Sequence, residues 1–383
     1  MRKVFAVWLM LMLSGCAFAE TRARFLFIGD IMVHDQQLDS AKTKDGYDFS
    51  PSFRRIKPLF HDAFLVGNLE TVFAGTGKKL RYAGFPFFNT PDIFTENLSN
   101  DLEIDLLTLA NNHIFDRGNS GAKRTVQVLK SADIPCIGLG VDDTPSNDAI
   151  VLVNNGIRAA FINHTYGSNE WPKSRDVHLN VIASPDIHQS MTRAKALSPD
   201  VIIALFHWGN EYHFSPNVHQ KNAADWAFSE GATLIVGTHP HVLQPVEVIV
   251  GSEDVKAVAW SLGNFVSFQR TLPRERSMIL AADFVKNDEG VTRLAGLSAV
   301  PTYVVAPGRK RTEVTYAGSE SAVIESLDFS GLSKQQVNNL RGIGRAVLDF
   351  LGAQKVSDDF GFSVLWREES ADAMPKSRRK SPQ

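Results

Sequence analysis

The chain is poor in cysteine, with only Cys16 and Cys136 among 383 residues. Cys16 follows an apolar leader, so once the leader is removed no pair remains from which an internal disulfide framework could form. Cys136 stands in the apolar stretch Ile134–Ile137 and is predicted to be a small core residue. A hydrophobic core must therefore stabilise the fold, and 44% hydrophobic residues in a chain of this length are ample for one.

An excess of charge of either sign is also lacking. The chain has 40 Lys and Arg against 42 Asp and Glu, a net charge of −2, and its sequence pI is near 6.6. Nucleic-acid-binding proteins usually present a strongly basic field. We therefore expect no nucleic acid among the partners.

The apolar run near the N-terminus, Val4–Leu13, is too short to be a membrane anchor. It has about half of the roughly 20 residues that a transmembrane helix needs. Arg2 and Lys3 precede it, and a basic start before a short apolar run is typical of a secretory signal peptide. Residues 1–19 are therefore predicted to direct export across the inner membrane, to the periplasm or the cell surface.

Two processing sites compete within this leader. Leu13–Cys16 fits all four positions of a bacterial lipobox, in which Cys16 becomes the lipidated first residue. Ala17–Ala19 fits the small-x-small pattern of ordinary signal cleavage. The lipobox is favoured because every position fits, so we expect a membrane attachment through a lipid anchor on Cys16.

A repeated pattern organises the rest of the chain: a short apolar run ends in a polar cluster, and a more helical segment follows. The apolar runs are Phe25–Ile28, Ala63–Val66, Leu106–Leu109, Ala159–Ile162, Val201–Phe206, Leu234–Val236 and Val258–Trp260. The predicted helices between them are Gly121–Ser131, Pro185–Leu197 after an N-cap at Ser184, and Asn222–Glu230. Continuous apolar strands alternating with helices predict an α/β fold whose sheets are covered on both faces.

The pattern weakens after about residue 290. Val300–Val305 and Glu313–Ala317 are predicted strands of an appended sheet, and Lys334–Leu351 is a predicted helix. The expected organisation is a main domain over residues 24–290, a C-terminal α+β extension of the same domain over residues 291–352, and a largely disordered tail over residues 353–383.

Chemistry-bearing side chains cluster in the polar ends of the predicted strands. They are Asp30, Asn68, Glu70, Asn112, His113, His207, His239 and His241. Ligands bind at the carboxyl ends of strands in open α/β sheets, and each of these residues belongs to such an end. A mixture of carboxylate, amide and imidazole donors suits Mn, Zn or Fe, so the sequence predicts one or two divalent ions.

The order of these clusters makes the chain recognisable. The matching stretches are Gly29–Met32, Asn68–Glu70, Leu109–His113 with Asp116 and Gly118, His207–Tyr212, Gly237–Gln244 and Ser261–Phe265. Together they resemble the CapA family of bacterial capsule and poly-γ-glutamate biosynthesis proteins, within the calcineurin-like metallophosphoesterase superfamily. The resemblance runs over about residues 24–268 and implies a four-layer α/β/β/α sandwich of the metallo-dependent phosphatase type, with a metal site at the strand ends.

The resemblance also implies roles for single residues. The implied metal ligands are Asp30, Glu70 in place of the usual bridging aspartate, Asn112, His207, His239 and His241. His113 matches the catalytic histidine, and Asp116 is expected to orient it. Asn68, Trp208, Glu211 and Tyr212 are candidates for lining the substrate cleft, and Asn264 for bracing the histidine loop.

One position departs from the superfamily pattern. Met32 stands where an Asp-x-His motif has its histidine, and a thioether is a poor ligand for hard divalent metals. Asn68 or His34 is a possible substitute, and occupancy by two ions is open. Two functions follow: a metal-dependent envelope hydrolase of a phosphoester or an anionic cell-surface polymer, or a non-catalytic accessory protein that binds or exports polymer.

Overall fold

The structure is a computed structural model of the whole chain. It describes residues 20–60, 63–142, 148–171, 174, 176–252, 254–305, 313–317, 329–354 and 356–368. The predicted signal peptide with Cys16 and the last fifteen residues of the predicted tail lie outside these ranges. Within them, no helix is both long enough and apolar enough to span a membrane.

The strands belong to two large sheets and one small one. In chain order they are β1 (Thr21–Ile31), β2 (Phe64–Leu69), β3 (Ile104–Thr108), β4 (Cys136–Ile137), β5 (Leu139–Val141), β6 (Ile150–Asn154), β7 (Ile157–Thr165), β8 (Val177–Leu179), β9 (Val201–His207), β10 (Leu234–Thr238), β11 (Val246–Val250), β12 (Val255–Ala259), β13 (Asn264–Val266), β14 (Arg276–Lys286), β15 (Thr292–Val305), β16 (Glu313–Tyr316) and β17 (Ser363–Arg367). Their apolar, β-branched composition is that of buried strands.

The first sheet has nine strands, with the path β16-β15-β14-β1-β2-β3-β4, and β13 and β17 pair with β1 and β15 beside that path. Strands β1 to β4 run parallel, whereas β14 to β16 are antiparallel. The second sheet has the order β11-β12-β10-β9-β7-β6, with a parallel centre and antiparallel edges. Strands β5 and β8 form the small sheet.

Seven α-helices lie in the described part of the chain. They are α1 (Asp35–Ala41), α2 (Ser50–Phe53), α3 (Phe94–Asn100), α4 (Gly118–Ser131), α5 (Ser184–Ala196), α6 (Val218–Ser229) and α7 (Lys334–Leu351). The predicted bounds of α7 are correct. Helix α6 begins four residues earlier than predicted, because the side chain of Asn217 caps it and accepts the backbone N–H of Gln220 at 2.9 Å. Helix α5 is capped at Ala183, so the predicted cap Ser184 is its first residue.

Three apolar clusters show how these elements are layered. One lies between the two large sheets and joins Phe25, Phe161 and Leu280. A second covers the other face of the nine-stranded sheet, where the N-terminal helices α1 to α4 pack. A third covers the other face of the six-stranded sheet with α5 and α6. The four layers are helix, sheet, sheet and helix, so the predicted fold class is confirmed.

The C-terminal segment corrects one expectation. Residues 356–368 belong to the folded structure, although they fall in the tail predicted to be largely disordered. Strand β17 pairs with β15, and Arg24 donates to both Asp283 and Asp358 at 2.7 Å. The same guanidinium lies 4.0 Å over the ring of Phe360. The five residues of β17 have no clear strand pattern in the sequence. Partners far away in the chain stabilise the strand, so the local sequence does not predict it.

Candidate metal centre

The carboxyl ends of parallel strands from both sheets meet at one edge of the sandwich. In the first sheet Asp30 of β1 pairs in register with Asn68 of β2, and Glu70 follows directly. In the second sheet His207 ends β9 in register with Thr238 of β10. The two sheets pack face to face, so these ends converge. The site is therefore made by the sandwich as a whole, as the strand pattern predicts.

The loop after β10 carries two histidines in an unusual backbone. His239 has φ of +94° and His241 has φ of +56°, on either side of Pro240. Non-glycine residues rarely adopt this region, so the loop holds its imidazoles in a constrained arrangement. The strand that leads into it is tightly packed: a Cβ added to Gly237 would lie 2.1 Å from the carbonyl oxygen of Trp260. A glycine is required at that close approach.

Six predicted ligands are brought together in the interior. Each is at most 3% exposed: Asp30, Glu70, Asn112, His207, His239 and His241. Two groups of three have ligand atoms within 4.8 Å of one another, namely Glu70 with His239 and His241, and Asp30 with Glu70 and His207. Glu70 belongs to both groups. It therefore lies where a single carboxylate could contact two ions.

Glu70 is the residue whose environment is incomplete. Its side chain is fully buried, and among the described residues neither carboxylate oxygen has a hydrogen-bond partner. Oε1 lies 3.7 Å from Nε2 of His207 and 3.8 Å from Nε2 of His241. Burial raises the pKa of Glu70 well above its usual range, and the charge of Asp30 adds to the effect. A buried carboxylate without a partner is costly, and a divalent cation would satisfy it.

The protonation state of two of the histidines, His207 and His239, suits metal binding. Burial, together with the charge of the neighbouring histidines, lowers the pKa of His207 well below its usual value and that of His239 to about 3. Both rings are therefore neutral at physiological pH, which is the form that coordinates metal. Nδ1 of His239 is buried and has no hydrogen-bond partner among the described residues. The donor set fits a divalent transition ion.

Other side chains orient these ligands. Nδ1 of His241 lies 3.1 Å from Oδ2 of Asp30 and 2.9 Å from Oδ1 of Asn264, which directs Nε2 towards Glu70. Nδ1 of His207 lies 3.0 Å from the hydroxyl of Thr238, and its Nε2 lies 2.8 Å from Oδ1 of Asn112. Partners on the far nitrogen are the usual device for fixing a ligand imidazole.

His113 and Asp116 form a separate pair at the edge of the centre. Nδ1 of His113 lies 2.8 Å from Oδ2 of Asp116, which also accepts the backbone N–H of Phe88 at 2.7 Å. The Phe88 ring packs edge-on against His113 with ring centres 4.8 Å apart. Burial raises the pKa of Asp116, and the contact with His113 opposes that rise. The geometry fits an oriented histidine rather than another ligand.

Two of the residues predicted to line the substrate cleft, Trp208 and Asn68, lie in the interior instead. Trp208 is only 1% exposed and packs in the outer core, where its indole donates to the carbonyl of Trp260 at 2.9 Å. Its position next to His207 in sequence is misleading, because adjacent residues of a strand end point to opposite faces.

Asn68 is also buried. Its amide donates to Asp30 at 2.8 Å and accepts from Thr108 at 3.1 Å, so it supports a ligand and does not line the cleft. Asn68 and His34 were the suggested substitutes for the missing histidine, and the structure shows neither as a ligand. Nδ1 of the half-buried His34 instead accepts the backbone N–H of Phe268 at 3.2 Å.

The remaining cleft candidates lie at the mouth of the centre, together with a tyrosine that the sequence did not reveal. Glu211 is exposed, and the ring of Tyr212 lies 6.1 Å from that of His241. Tyr166, 47% exposed, packs 4.5 Å from His239 and stacks over His207 at 6.3 Å. Tyr166 directly follows β7, which ends at Thr165, whereas His164 lies within that strand and is buried against Ser190. The two tyrosines thus flank the histidine pair.

Solved structures provide a comparison of overall shape. The calcineurin-like phosphoesterase YfkN from Bacillus subtilis is 16% identical, with a TM-score of 0.46, over 87% of this chain and 99% of that one. The 5'-nucleotidase from Candida albicans is 12% identical, with a TM-score of 0.45, over 86% of this chain and 59% of that one.

Sequence comparison is more informative. The PGA biosynthesis protein CapA of Bacillus subtilis is 28% identical over 267 residues, which cover 69% of this chain and 68% of that protein. The capsule biosynthesis protein CapA of Bacillus anthracis is 28% identical over 248 residues, which cover 62% of this chain and 58% of that protein. The family described as bacterial capsule synthesis protein PGA_cap matches residues 24–269. The predicted resemblance is confirmed, and this chain belongs to the bacterial capsule synthesis protein family PGA_cap.

Proposed function

We propose that this protein is a metal-dependent hydrolase of the bacterial cell envelope that cleaves an anionic capsule polymer of the poly-γ-glutamate type. The observation that carries the proposal is the buried carboxylate of Glu70, which lacks a hydrogen-bond partner among the described residues and faces two imidazole nitrogens. Membership of the capsule synthesis family supports the polymer as substrate. The chemistry of the centre supports hydrolysis.

The residues that would hold one or two ions of Mn, Zn or Fe are Asp30, Glu70, Asn112, His207, His239 and His241. A divalent ion, when bound, polarises a carbonyl or phosphoryl oxygen and makes water a nucleophile at neutral pH. The protein excludes bulk water from the centre and orients the ligands. Burial excludes bulk water from the carboxylates and imidazoles, and Asp30 and Asn264 fix the orientation of His241.

His113 is placed to transfer a proton. Asp116 accepts the Nδ1 proton of His113, which leaves Nε2 as the nitrogen that exchanges a proton with the substrate. When an amide C–N bond of the polymer is hydrolysed, water adds its oxygen to the carbonyl carbon and the departing nitrogen must gain a proton. His113 in its protonated form donates that proton, and the pair with Asp116 stabilises the charged ring before transfer.

The experiment compares metal content and turnover on the same preparations. His113→Asn should keep its metal and lose turnover by about 10²–10⁴-fold, the usual contribution of a general acid. His241→Ala should lose both metal and turnover. His219→Asn, at an exposed position on α6, is the matched control and should resemble the parent protein.

A second function is favoured by one observation. Met32, 1% exposed, stands where the superfamily pattern has a histidine ligand, so the centre has one fewer donor than that pattern. A non-catalytic protein that binds or exports the polymer is the alternative. Metal-independent polymer binding, unchanged in His113→Asn and without turnover on polymers or phosphoesters, would establish the alternative. Loss of metal in His113→Asn would refute the division between ligand and acid.

We also propose that the protein is exported and attached to the membrane through Cys16. The support is the leader of residues 1–19, which lies outside the described residues and is known from its sequence alone. Mass spectrometry of the native N-terminus should show a diacylglycerol-modified Cys16. An unmodified chain that begins at Glu20 would refute the anchor and leave secretion in place.

A further inference from the structure

Arg274, at the mouth of the centre, packs on an aromatic ring and has no acidic partner among the described residues. Its guanidinium carbon lies 3.4 Å from the ring centre of Tyr212. The side chain is half-buried, yet among the described residues its nitrogens donate no hydrogen bond and pair with no carboxylate. An arginine that is held against a ring and whose donors are unused can bind a planar anion.

A neighbouring arginine shows the contrast. Arg270, four residues earlier in the same loop, pairs with the buried Glu275 at 2.9 Å and donates to the carbonyl oxygen of Val304. Its charge is neutralised and its donors serve the fold. Within the described part of the chain Arg274 has neither use, although Glu275 is its next residue. One arginine of this loop is thus paired within the fold, and the other is available to a ligand.

The backbone ties Arg274 to the metal centre. Its carbonyl oxygen accepts from the amide of Asn264 at 3.0 Å, and the other end of that amide lies 2.9 Å from Nδ1 of His241. The platform is tied to the same loop, because the N–H of Tyr212 donates to the carbonyl of Pro240 at 2.7 Å. Arginine and platform are thus held by the loop that carries the histidine ligands. These hydrogen bonds fix the positions of Arg274 and Tyr212 relative to the metal centre.

We propose that Arg274 binds a carboxylate of the polymer substrate beside the metal centre, and that Tyr212 holds the guanidinium in place for it. The proposal rests on the proposed function. A polymer with a carboxylate on every repeat unit brings such groups to both sides of the bond that lies over the centre. The exposed Glu211 next to Tyr212 would repel an anionic chain, and Arg274 supplies the opposite charge. A guanidinium and a carboxylate pair through two parallel hydrogen bonds, which gives recognition as well as attraction.

The test is calorimetric binding of an oligomer of γ-linked glutamate to mature protein of equal metal content. Arg274→Gln should bind it about tenfold to a hundredfold more weakly, the usual contribution of a charge-assisted hydrogen bond. Arg274→Lys should recover part of the loss, because it keeps the charge without the planar donor pair. Tyr212→Leu should weaken binding and Tyr212→Phe should not, since only the ring is needed. Arg345→Gln, which removes the same charge from an exposed position on α7, is the matched control.

The outcomes separate this proposal from the proposed function. Equal affinity in Arg274→Gln and the parent protein overturns the carboxylate role and leaves the hydrolase untouched. Weakening confined to a phosphate-ester probe, p-nitrophenyl phosphate, overturns the choice of carboxylate. If the parent protein shows no turnover and yet needs Arg274 to bind the oligomer, the hydrolase proposal fails, and the proposal that Arg274 binds a carboxylate of the polymer is supported.

Discussion

Glu70→Gln is the sharpest perturbation of this protein, because it changes one atom type at the residue shared by both ligand groups. In the metal-free protein the buried carboxylate contributes little stability, since neither oxygen has a hydrogen-bond partner among the described residues. Burial also raises the pKa of Glu70 above its usual range. The folded state then favours the protonated acid, so this group's contribution to stability is fully present below the ordinary pKa of a glutamic acid. That contribution is lost as pH rises through the raised value.

The expected magnitudes differ between the metal-free and metal-loaded forms. Replacing the carboxylate by an amide removes a buried charge and leaves a buried dipole that costs about 1–3 kcal/mol if unsatisfied. Metal-free Glu70→Gln should therefore be at least as stable as the parent protein at pH 8. With metal at about 100 times its Kd, the parent gains about 2.7 kcal/mol. For a chain of this size that is a rise in Tm of about 3–4 °C, at about 2.1 cal/mol/K of unfolding entropy per residue.

The assay is thermal unfolding followed by circular dichroism, after chelation and again after addition of Mn or Zn, with metal content measured on the same samples. Glu70→Gln should lose the metal-dependent rise in Tm and the bound metal. The control is Glu313→Gln, which removes a buried carboxylate that pairs with Arg55. The control should lower Tm in both forms and keep the metal-dependent rise. A Glu70→Gln protein that binds metal like the parent would refute the assignment of the centre.

Two further predictions concern protons. Metal binding should release a proton from Glu70, because burial raises the pKa of that carboxyl, whereas His239, with a pKa of about 3, is already neutral at physiological pH. Titration calorimetry in buffers of different ionisation enthalpy counts that proton, and a larger release would show that histidines are protonated in the free protein. Asp116→Asn should keep metal and lower turnover, because it removes the carboxylate that orients the ring of His113, so turnover equal to that of the parent protein would contradict the proposed pairing.

The sequence pattern groups the candidate ligands for a physical reason. Asp30 and His207 lie in the last residues of buried strands, Glu70 and His239 directly follow such strands, and strands of that kind end at a common edge. Strand ends are local features, so the chain reveals them without tertiary information. The structure then brings together in space the residues that the pattern groups by position.

Features that depend on packing between distant segments were not visible in the sequence. Tyr166 follows β7 as one aromatic among many, and only the closure of two sheets brings it over His239. Trp208 looked like a cleft residue because it follows His207, yet its indole turns to the outer core. Arg274 lies in a loop without a motif, and its partner Tyr212 is distant in sequence. Each of these residues takes its role from a neighbour on another element.

The energetics of the centre connect its strain to its function. Two histidines with positive φ cost on the order of 1–3 kcal/mol each, and a fully buried carboxylate without a partner costs more. The fold stabilises this arrangement with three apolar clusters, since nothing within the described centre satisfies Glu70. A bound cation would contact that carboxylate and the strained imidazoles together, and would so offset at one place the free energy that several unfavourable groups cost. The same groups would be a defect in a purely structural protein, whereas in a metal centre they would provide preformed ligands.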